Sequence, residues 1–573
     1  MKEVLVIGLD GGTWTLLQNW IDQGHLPELA ALQREGASGV LRSTLPVVTS
    51  AAWSAFMTGT DPSNTGIYDF FYRDQASYSV RTMSRLQIRG IPLWKKLSRF
   101  GKTSVLINVP MTYPAEEDPN VLSITGIPTP NTQSPGFTNP PDLFERFHLN
   151  KDEYRITVSL PEYEGRYTEL ISDLKKMVRG PLKAAEVLIQ QDWNLFIIHF
   201  FATDIVQHAL WRLIDPRHPQ YDKDQAAKYG GGLLEVFSEV DQAIAELLKR
   251  VDPERTSILI MSDHGFGPNQ CTVHINRWLQ EVGMLRLRPP LIRLGHGICK
   301  ILLKKAGFAP QGFVGKCAEG LASIPGSILP TPLQQSIYSA SRHILSSSPV
   351  GSNLFRLRGY VNLFEGIDWK RTKAYSVGTS GLIHINRCGR EPEGIVSPGK
   401  DYEEVRNAIA AGLISLTDGR GRRIFDRVYR KEEIYHGRFV DEAPDLIPLS
   451  ETVGCYCYPF LDREGIIVEA EGFRSGNHRR EGLLIAKGPP FRKDQKVDEA
   501  RIIDLAPTIS YLLDVPLSRN MDGTLIEQIF EPEYLQAHPL GWEEAEEAGR
   551  EDKSISLSDE GQMAKKLEDL GYL

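Results

Sequence analysis

The sequence predicts an α/β fold in which a mostly parallel central sheet is flanked by helices and carries one helical, cap-like insertion. Short apolar runs closed by glycine, such as residues 4–9, are typical of the central strands of a parallel sheet. Helical patterns alternate with these runs, which is the signature of βα units. The chain has 573 residues, long enough for two or more ordinary domains or for one large core with insertions. Its content of 41% hydrophobic and 24% charged residues is that of a globular protein.

The first half of the chain follows this alternation. We predict a strand at residues 4–9, then a helix at 14–35 that Gly36 ends. The further elements are a strand at 39–43, a helix at 49–59, a helix at 93–100, a strand at 103–109, a helix at 168–190 in two pieces, a buried strand at 193–201, a helix at 229–251 and a strand at 256–261. The division of the helix at 168–190 is expected at Gly180-Pro181, because proline stops one helix and starts the next. We expect the proline-rich segment at 128–141 to cross the surface or to form a rim of the site.

Residues 283–366 differ in composition, and we predict that they form an insertion. Between residues 285 and 358 there are ten lysines or arginines and one acid, Glu319. A basic amphipathic helix at 291–306 would suit weak contact with an anionic membrane surface, or a lid that attracts an anionic substrate. An ordinary solvated helix on a cap explains the same pattern.

The domain prediction is a core in two parts, residues 1–282 and 367–535, interrupted by the insertion at 283–366. An acidic tail at 536–573 follows, with a terminal helix at 563–570 packed on the surface. Within the second part we predict strands at 373–377, 381–385 and 483–487 and helices at 402–417 and 503–513.

Acidic and histidine side chains follow three of the predicted strands, at the sheet edge where ligands of parallel sheets bind. Asp10 follows the first strand, and Asp263 and His264 follow the strand at 256–261. Asp204 follows the strand at 193–201, with His208 four residues later. On a helix this spacing brings both side chains to one face, where they could share one ion.

Two further candidates lie outside these strand ends. Thr49 opens a helix, where free backbone N–H groups favour a phosphate, and is the candidate nucleophile. His478 lies in a loop rich in glycine, residues 472–482. Taken singly, each candidate is explained as well by a helix cap or a solvated loop residue.

In chain order and spacing these residues resemble the alkaline phosphatase superfamily. The closest branch is that of the type I phosphodiesterases/nucleotide pyrophosphatases and their phosphohydrolase or phosphomutase relatives. The resemblance covers residues 2–71, 196–267 and 472–523. The matching segments are Gly8-Leu9-Asp10-Gly11, Pro46-x-x-Thr49 with Thr58-Gly59, Pro62, Gly66-Ile67, Asp204-x-x-x-His208, Asp263-His264-Gly265, Gly476-x-His478, Asp504-x-Ala506-Pro507-Thr508 and Met521-Asp522-Gly523.

The resemblance implies an alkaline-phosphatase-like core and a site for two divalent metal ions. By that resemblance one ion is held by Asp10, Asp263, His264 and the Thr49 oxygen, and the other by Asp204, His208 and His478. Mixed histidine and carboxylate ligands suit zinc, with manganese or iron as alternatives. Thr49 would attack phosphorus and form a phospho-threonine that is then hydrolysed.

The sequence departs from its relatives in three places. The Cys/Ser-x-Pro-x-Arg run of the sulfatases is missing at residues 49–53, so sulfate esters are not the expected substrate. The Asn that helps nucleotide pyrophosphatases hold the phosphoryl oxygen is also missing, since Gly66-Ile67 is followed by Tyr68-Asp69-Phe70-Phe71. The oxyanion donor is therefore unassigned. Ser50 is a competing nucleophile, although the spacing to Thr58-Gly59 favours Thr49.

Composition narrows the class of partner and compartment. A net charge of −8 argues against a nucleic-acid polymer as partner. Six scattered cysteines do not form a small disulfide framework, and Cys455 and Cys457 are expected on one face of a short strand. The first strand begins too early for a signal peptide, and no apolar window reaches the length of a membrane span, so a cytoplasmic protein is expected.

The expected function is hydrolysis of a phosphodiester, pyrophosphate or phosphomonoester of a small molecule. Transfer of a phosphoryl or head group to another alcohol, as in the mutases of this fold, is the alternative, and a water-excluding cap would favour it. A binding protein without activity is the third possibility. The sequence leaves the substrate, the metal and the oligomeric state open.

Overall fold

The computed structural model describes residues 2–74, 76–288, 366–461, 465–470, 474–544 and 554–572. Most of the predicted insertion, including the basic helix at 291–306 with its expected membrane or lid role, lies outside these residues. The Arg288 backbone N–H donates to the Gly366 carbonyl at 2.9 Å, so the chain leaves and re-enters the described part at one point. The domain boundaries stay a prediction.

A nine-stranded sheet forms the centre of the molecule. The described strands, in chain order, are β1 (Glu3–Leu9), β2 (Ala37–Arg42), β3 (Phe71–Arg73), β4 (Val80–Thr82), β5 (Ser104–Val109), β6 (Val121–Thr125), β7 (Thr138–Asn139), β8 (Leu195–Phe200), β9 (Thr256–Met261), β10 (Gly265–Pro268), β11 (Cys271–His274), β12 (Ala374–Val377), β13 (Leu382–Ile385), β14 (Arg427–Arg430), β15 (Leu446–Leu449), β16 (Cys455–Tyr458), β17 (Ile467–Glu469), β18 (Gly476–Arg479), β19 (Glu481–Lys487), β20 (Gln495–Arg501), β21 (Leu517–Ser518) and β22 (Trp542–Glu543). The order across the central sheet is β20-β2-β19-β9-β1-β8-β5-β6-β7.

The middle of this sheet is parallel. β9, β1, β8, β5 and β6 run in one direction, while β19 is antiparallel to both its neighbours and β7 is antiparallel at one edge. β5, β8 and β9 are buried at every residue, as expected for strands covered on both faces. The predicted α/β fold with a mostly parallel sheet flanked by helices is confirmed.

Helices cover the sheet in two groups. The described α-helices are α1 (Trp14–Asp22), α2 (Pro27–Glu35), α3 (Thr49–Thr58), α4 (Pro62–Thr65), α5 (Leu93–Arg99), α6 (Leu143–Arg146), α7 (Tyr167–Leu188), α8 (Ala202–Leu210), α9 (Lys223–Tyr229), α10 (Gly232–Leu248), α11 (Ile275–Glu281), α12 (Lys400–Ser415), α13 (Lys431–Ile434), α14 (Leu505–Leu512), α15 (Pro532–Ala537) and α16 (Leu557–Asp569). α7, α8 and α10 pack together, and α3, α5 and α14 form a second group. None of the described helices has the length and apolar character that crossing a bilayer would need.

Two helix predictions were wrong in detail. The segment at 14–35 forms two helices, because Pro27 occupies the first turn of the second one. Conversely, α7 is a single helix with Pro181 inside it, although a proline there removes a backbone hydrogen bond. Eleven residues of α7 are buried, among them Leu174 and Val178, and this packing offsets the cost of the proline.

Part of the predicted second half of the core forms a separate sheet. β12, β13, β15 and β14 make a four-stranded antiparallel sheet that does not join the central one. Its buried centre is Asp445, which accepts two hydrogen bonds from Arg390 at 2.8 and 2.6 Å and one from the Tyr402 hydroxyl at 2.6 Å. The Ile385 N–H donates to the same carboxylate at 2.6 Å.

A small sheet of β16, β11 and β17 contains a disulfide that was not predicted. Cys271 on β11 bonds to Cys455 on β16, while Cys457 is a buried free thiol. Cys455 and Cys457 therefore lie two residues apart on one strand, as expected. Disulfides are rare in cytosolic proteins, so this pair bears on the cytoplasmic assignment, which stays a prediction.

Candidate two-metal site

Three neighbouring strands deliver the acidic residues of the site to one place. β8, β1 and β9 lie side by side and parallel, so their carboxyl ends share one edge of the sheet. Asp10 follows β1, Asp263 follows β9, and Asp204 lies in the first turn of α8, just after β8. All three side chains are buried. The topology therefore brings three carboxylates together at a buried position, where water does not screen their mutual repulsion.

The three predicted histidines approach the carboxylates from different elements. His264 follows β9, and His208 lies on α8 one turn after Asp204. His478 is on β18, which pairs with β10 so that His478 lies opposite Phe266. The rings of His264 and His478 stack with centroids 3.6 Å apart. A short antiparallel ribbon thus carries His478 back over the edge formed by the parallel strands.

Backbone carbonyls fix the orientation of all three imidazole rings. The Nδ1 atoms of His208, His264 and His478 lie 2.8, 3.1 and 3.3 Å from the carbonyl oxygens of Gly476, Gly265 and Val47, respectively. A carbonyl only accepts, so each Nδ1 carries the proton and each Nε2 presents a lone pair. This arrangement of the outer nitrogen is typical of metal-ligating histidines.

The Nε2 lone pairs converge on the carboxylates. His264 Nε2 is 3.4 Å from both Asp10 Oδ1 and Asp263 Oδ2. The Nε2 atoms of His208 and His478 lie 3.3 and 3.2 Å from Asp204 Oδ1 and 3.1 Å from each other. Two facing lone pairs at that distance repel unless a cation lies between them.

Burial sets the protonation of these groups. Burial lowers the pKa of His264 and of His478 to about 4, so both rings are neutral near pH 7 and free to ligate. Burial and the charges of Asp263 and Asp204 raise the pKa of Asp10 well above its usual range.

The residues present fit divalent metal ions. Asp10 Oδ1, Asp204 Oδ2 and Asp263 Oδ2 are buried and have no hydrogen-bond partner among the described residues. Two sets of ligand atoms lie within 4.8 Å of one another, one from Asp204, His208 and His478 and one from Asp10, Asp204 and His264. The first set equals one of the predicted ligand sets. The second contains Asp204 in place of Asp263, so Asp204 lies between the two groups, and the ligand assignment stays a prediction.

Thr49 borders this cluster at the start of α3. Every residue of α3 is buried, and Val48 at its N-cap provides no side-chain acceptor for the first N–H groups. Thr49 Oγ1 lies 3.2 Å from His264 Nε2. The structure therefore brings all seven predicted site residues into one continuous cluster.

Three residues near the cluster were not predicted. His199 Nε2 lies 2.9 Å from Asp10 Oδ2, and its Nδ1 faces the Asn108 carbonyl at 3.2 Å. Arg474 Nη2 donates to His208 Nε2 at 3.0 Å. The Tyr572 hydroxyl lies 3.3 Å from Thr49 Oγ1. His199 could have been noticed in the sequence, because it is a polar residue within an otherwise apolar buried strand. The local sequences around Arg474 and Tyr572 contain no comparable feature.

Solved structures with a similar fold are distant in sequence. Phosphonoacetate hydrolase from Sinorhizobium meliloti 1021, in complex with phosphonoacetate, is 12% identical with a TM-score of 0.51, covering 90% of this chain and 95% of that chain. The same hydrolase in complex with phosphonoformate matches at 13% identity with the same TM-score and coverage. Murine ectonucleotide pyrophosphatase/phosphodiesterase 5, an inactive variant in complex with AMP, is 15% identical with a TM-score of 0.46, covering 90% of this chain and 96% of that chain. The two matches to phosphonoacetate hydrolase support the fold alone.

Sequence comparison gives the family. Among curated proteins, none matches the chain significantly. The profile of the type I phosphodiesterase/nucleotide pyrophosphatase family matches residues 4–321. This match spans more than half of the 573 residues. The chain therefore belongs to the type I phosphodiesterase/nucleotide pyrophosphatase family, and it is a hydrolase of phosphoric ester or pyrophosphate bonds.

Proposed function

We propose that this protein is a two-metal phosphohydrolase of small phosphate esters in which Thr49 is the nucleophile. The observation that supports this proposal is the convergence of three imidazole lone pairs and three buried carboxylates beside the Thr49 hydroxyl. The ligand chemistry suits zinc, with manganese or iron as alternatives. Two divalent ions, when bound, favour the ionised form of a nearby hydroxyl and neutralise charge that develops on the phosphoryl oxygens.

The position of Thr49 suits attack on phosphorus. Its Oγ1 faces the cluster, oriented by the contact with His264 Nε2. The N–H groups at the start of α3 and the positive end of the helix dipole favour the negative phosphoryl group next to that oxygen. In the first step, a bond forms between Thr49 Oγ1 and phosphorus while the bond to the leaving oxygen breaks and that oxygen takes up a proton. In the second step, water attacks the phosphorus of the phospho-threonine and the bond to Thr49 Oγ1 breaks, which restores the hydroxyl and releases phosphate from a monoester substrate or a phosphate monoester from a diester.

The neighbouring backbone and His199 position the candidate metal ligands. The carbonyls of Gly476, Gly265 and Val47 hold the three rings with Nε2 inward. His199 holds one oxygen of Asp10 and leaves Oδ1 without a partner among the described residues. Asn108, whose carbonyl orients His199, has left-handed backbone with φ of 60°, and the Tyr154 hydroxyl fixes its side chain at 2.6 Å.

The experiment compares Thr49→Ala with Ser50→Ala, a matched change at the next residue of the same buried helix turn. Turnover of bis-p-nitrophenyl phosphate and p-nitrophenyl phosphate is measured with zinc or manganese, alongside metal content. We expect Thr49→Ala to lose turnover by at least about 10³-fold with its metals retained, and Ser50→Ala to stay active. Equal activity of Thr49→Ala and the wild-type protein would refute the assignment of the nucleophile.

Transfer of the phosphoryl group to an acceptor alcohol is the second candidate function. The observation that favours it is the complete burial of Thr49, since a site closed to water protects the phospho-threonine from hydrolysis. Product analysis separates the two: adding an acceptor such as glycerol would divert phosphate into a new ester in a transferase, and would leave the yield of free phosphate unchanged in a hydrolase.

A further inference from the structure

The segment around α16 places an aromatic side chain inside the candidate site. Tyr572 follows α16 and is 1% exposed, and its hydroxyl lies 3.3 Å from Thr49 Oγ1. The sequence led us to expect a helix packed on the surface. One face of α16 packs on the molecule through Met563 and Leu567, and the chain beyond the helix enters the core at Leu570 and Tyr572.

The way α16 ends directs Tyr572 inward. Gly571 has left-handed backbone with φ of +82°, its N–H donates to the Glu568 carbonyl at 2.8 Å, and the Tyr572 N–H donates to the Leu567 carbonyl at 2.8 Å. These two bonds form a Schellman motif, which requires such a residue after the helix. A Cβ at Gly571 would also lie 2.7 Å from Arg474 Cδ, so glycine is needed for both conformation and space.

Several contacts hold this segment against the core. Glu560 on α16 accepts two hydrogen bonds from Arg81, at 3.2 and 2.9 Å. Gln562 accepts one from Asn131 at 2.7 Å. Close to the site, the Tyr456 hydroxyl donates to the Gly571 carbonyl at 3.0 Å. The position of Tyr572 therefore results from a set of specific contacts along the segment.

Arg474 lies beside Tyr572 with unused hydrogen-bonding capacity. It is 7% exposed, and its guanidinium carbon is 5.0 Å from the ring centroids of both Tyr456 and Tyr572. Its Nε has no hydrogen-bond partner among the described residues. Its Nη2 donates to the lone pair of His208 Nε2. A cation bound to that lone pair would leave Nη2 without this acceptor. A buried guanidinium with such an Nε–H beside a phosphoryl site is suited to bind phosphoryl oxygens.

The residues that replace the family's asparagine are engaged elsewhere. The Tyr68 hydroxyl donates to the Phe439 carbonyl at 3.0 Å. Asp69 is an acceptor, receiving the Phe70 N–H at 2.6 Å. Tyr68 and Asp69 line a different cavity from the one lined by His478 and Tyr572, so we look for the donor to the phosphoryl oxygens in another part of the chain.

We propose that the Tyr572 hydroxyl and the Arg474 guanidinium bind the non-bridging oxygens of the phosphoryl group; the proposal rests on the function proposed above. A phosphorus atom attacked by Thr49 must lie about 3–3.5 Å from Oγ1. The Tyr572 hydroxyl is 3.3 Å from the same oxygen, so an oxygen on that phosphorus falls within its hydrogen-bonding reach. A cavity of about 70 Å³, lined among others by Arg474, His478 and Tyr572, adjoins these atoms.

The test uses the full chain with zinc bound and three variants. Tyr572→Phe keeps the ring and removes the hydroxyl, and Arg474→Lys keeps the charge and removes the planar fork. Tyr511→Phe is the matched control, because Tyr511 is also buried and its hydroxyl donates to the His538 carbonyl. Each protein is assayed for kcat and KM on p-nitrophenyl phosphate, for binding of inorganic phosphate by calorimetry, and for metal content.

We expect Tyr572→Phe to lower kcat by about 10²-fold and to weaken phosphate binding by about tenfold, with unchanged metal content. Arg474→Lys should lower phosphate affinity in the same way, and Tyr511→Phe should stay within about twofold of wild type. Gly571→Ala, which misplaces the phenol without removing it, should reproduce the loss of Tyr572→Phe. Unchanged kcat and phosphate affinity in Tyr572→Phe would overturn the proposal. Increased kcat would also overturn it and would identify the segment as an inhibitory cover.

Failure of the proposed function gives a different pattern. A wild-type protein that binds phosphate but turns over no ester contradicts the role of Thr49, while weaker phosphate binding in Tyr572→Phe would still support the phosphate site. A wild-type protein that has bound its zinc yet neither binds phosphate nor turns over an ester contradicts both. An active wild type with an inactive Thr49→Ala and an unaffected Tyr572→Phe contradicts only the inference on Tyr572.

Discussion

Asp69 provides a sharp test of the electrostatics near the site. Its carboxylate is 3% exposed, Oδ1 accepts the Phe70 N–H, and Oδ2 has no partner among the described residues. Burial raises the pKa of Asp69 from 3.8 to about 7, although two backbone hydrogen bonds and the charge of Arg474 oppose this shift. The folded protein therefore keeps a proton on Asp69 in a pH range where the unfolded chain has lost it.

The sign of the effect follows from this linkage. Since the folded state binds more protons between pH 4 and 7, the free energy of unfolding falls as pH rises through that range. Each pKa unit corresponds to about 1.36 kcal/mol, so the full shift is worth about 4 kcal/mol and the part between pH 5 and 8 about 2.7 kcal/mol. With an unfolding entropy of about 2.1 cal/mol/K per residue, a chain of 573 residues shifts by about 2 °C in Tm for that energy.

The perturbation is Asp69→Asn, which removes the titration and preserves shape. Calorimetric Tm values at closely spaced pH from 5 to 8 should show the difference between variant and wild type becoming about 2 °C more positive as pH rises. Asp74→Asn is the control, because a backbone hydrogen bond lowers the pKa of Asp74, which therefore titrates below this range. A Tm difference for Asp69→Asn that is the same at pH 5 and pH 8 would refute the reasoning.

Two further predictions concern stability. Asp445→Ala leaves the guanidinium of Arg390 buried without its bidentate partner, and we expect a loss of about 3–5 kcal/mol in urea unfolding; a loss below about 1 kcal/mol would show that the network contributes little. Removal of divalent ions with a chelator should lower Tm, and added zinc should restore it, because Asp10, Asp204 and Asp263 are otherwise buried together without a cation. Identical Tm values with and without chelator would contradict a metal centre.

The sequence was sufficient for the parts of the site that depend on local rules. Apolar runs such as the one preceding Asp10 mark buried strands, and parallel strands place their carboxyl ends at one edge. That rule brings Asp204 and Asp263 to the same place without knowledge of the strand order. The turn of helix between Asp204 and His208 follows from the helical period.

Other features depended on contacts that leave no local trace. Tyr572 is 523 residues from Thr49, and Cys271 is 184 residues from Cys455, so nothing in either neighbourhood indicates the contact. The helix break predicted at Pro181 was wrong, because the packing of the buried face of α7 outweighs the low helix propensity of proline. The sequence does not distinguish the antiparallel sheet around Asp445 from the central sheet, because short apolar strands have the same residue pattern in both.

The separation between Thr49 and Tyr572 also imposes an order of events during synthesis. At about 5–20 residues per second, Tyr572 leaves the ribosome roughly half a minute to nearly two minutes after Thr49. His478, the last of the candidate metal ligands in chain order, precedes Tyr572 by roughly 5–20 s at the same rates. Every candidate ligand is thus made before the phenol can cover the cluster. The order of synthesis therefore allows a cation to reach the cluster before the phenol is present to cover it.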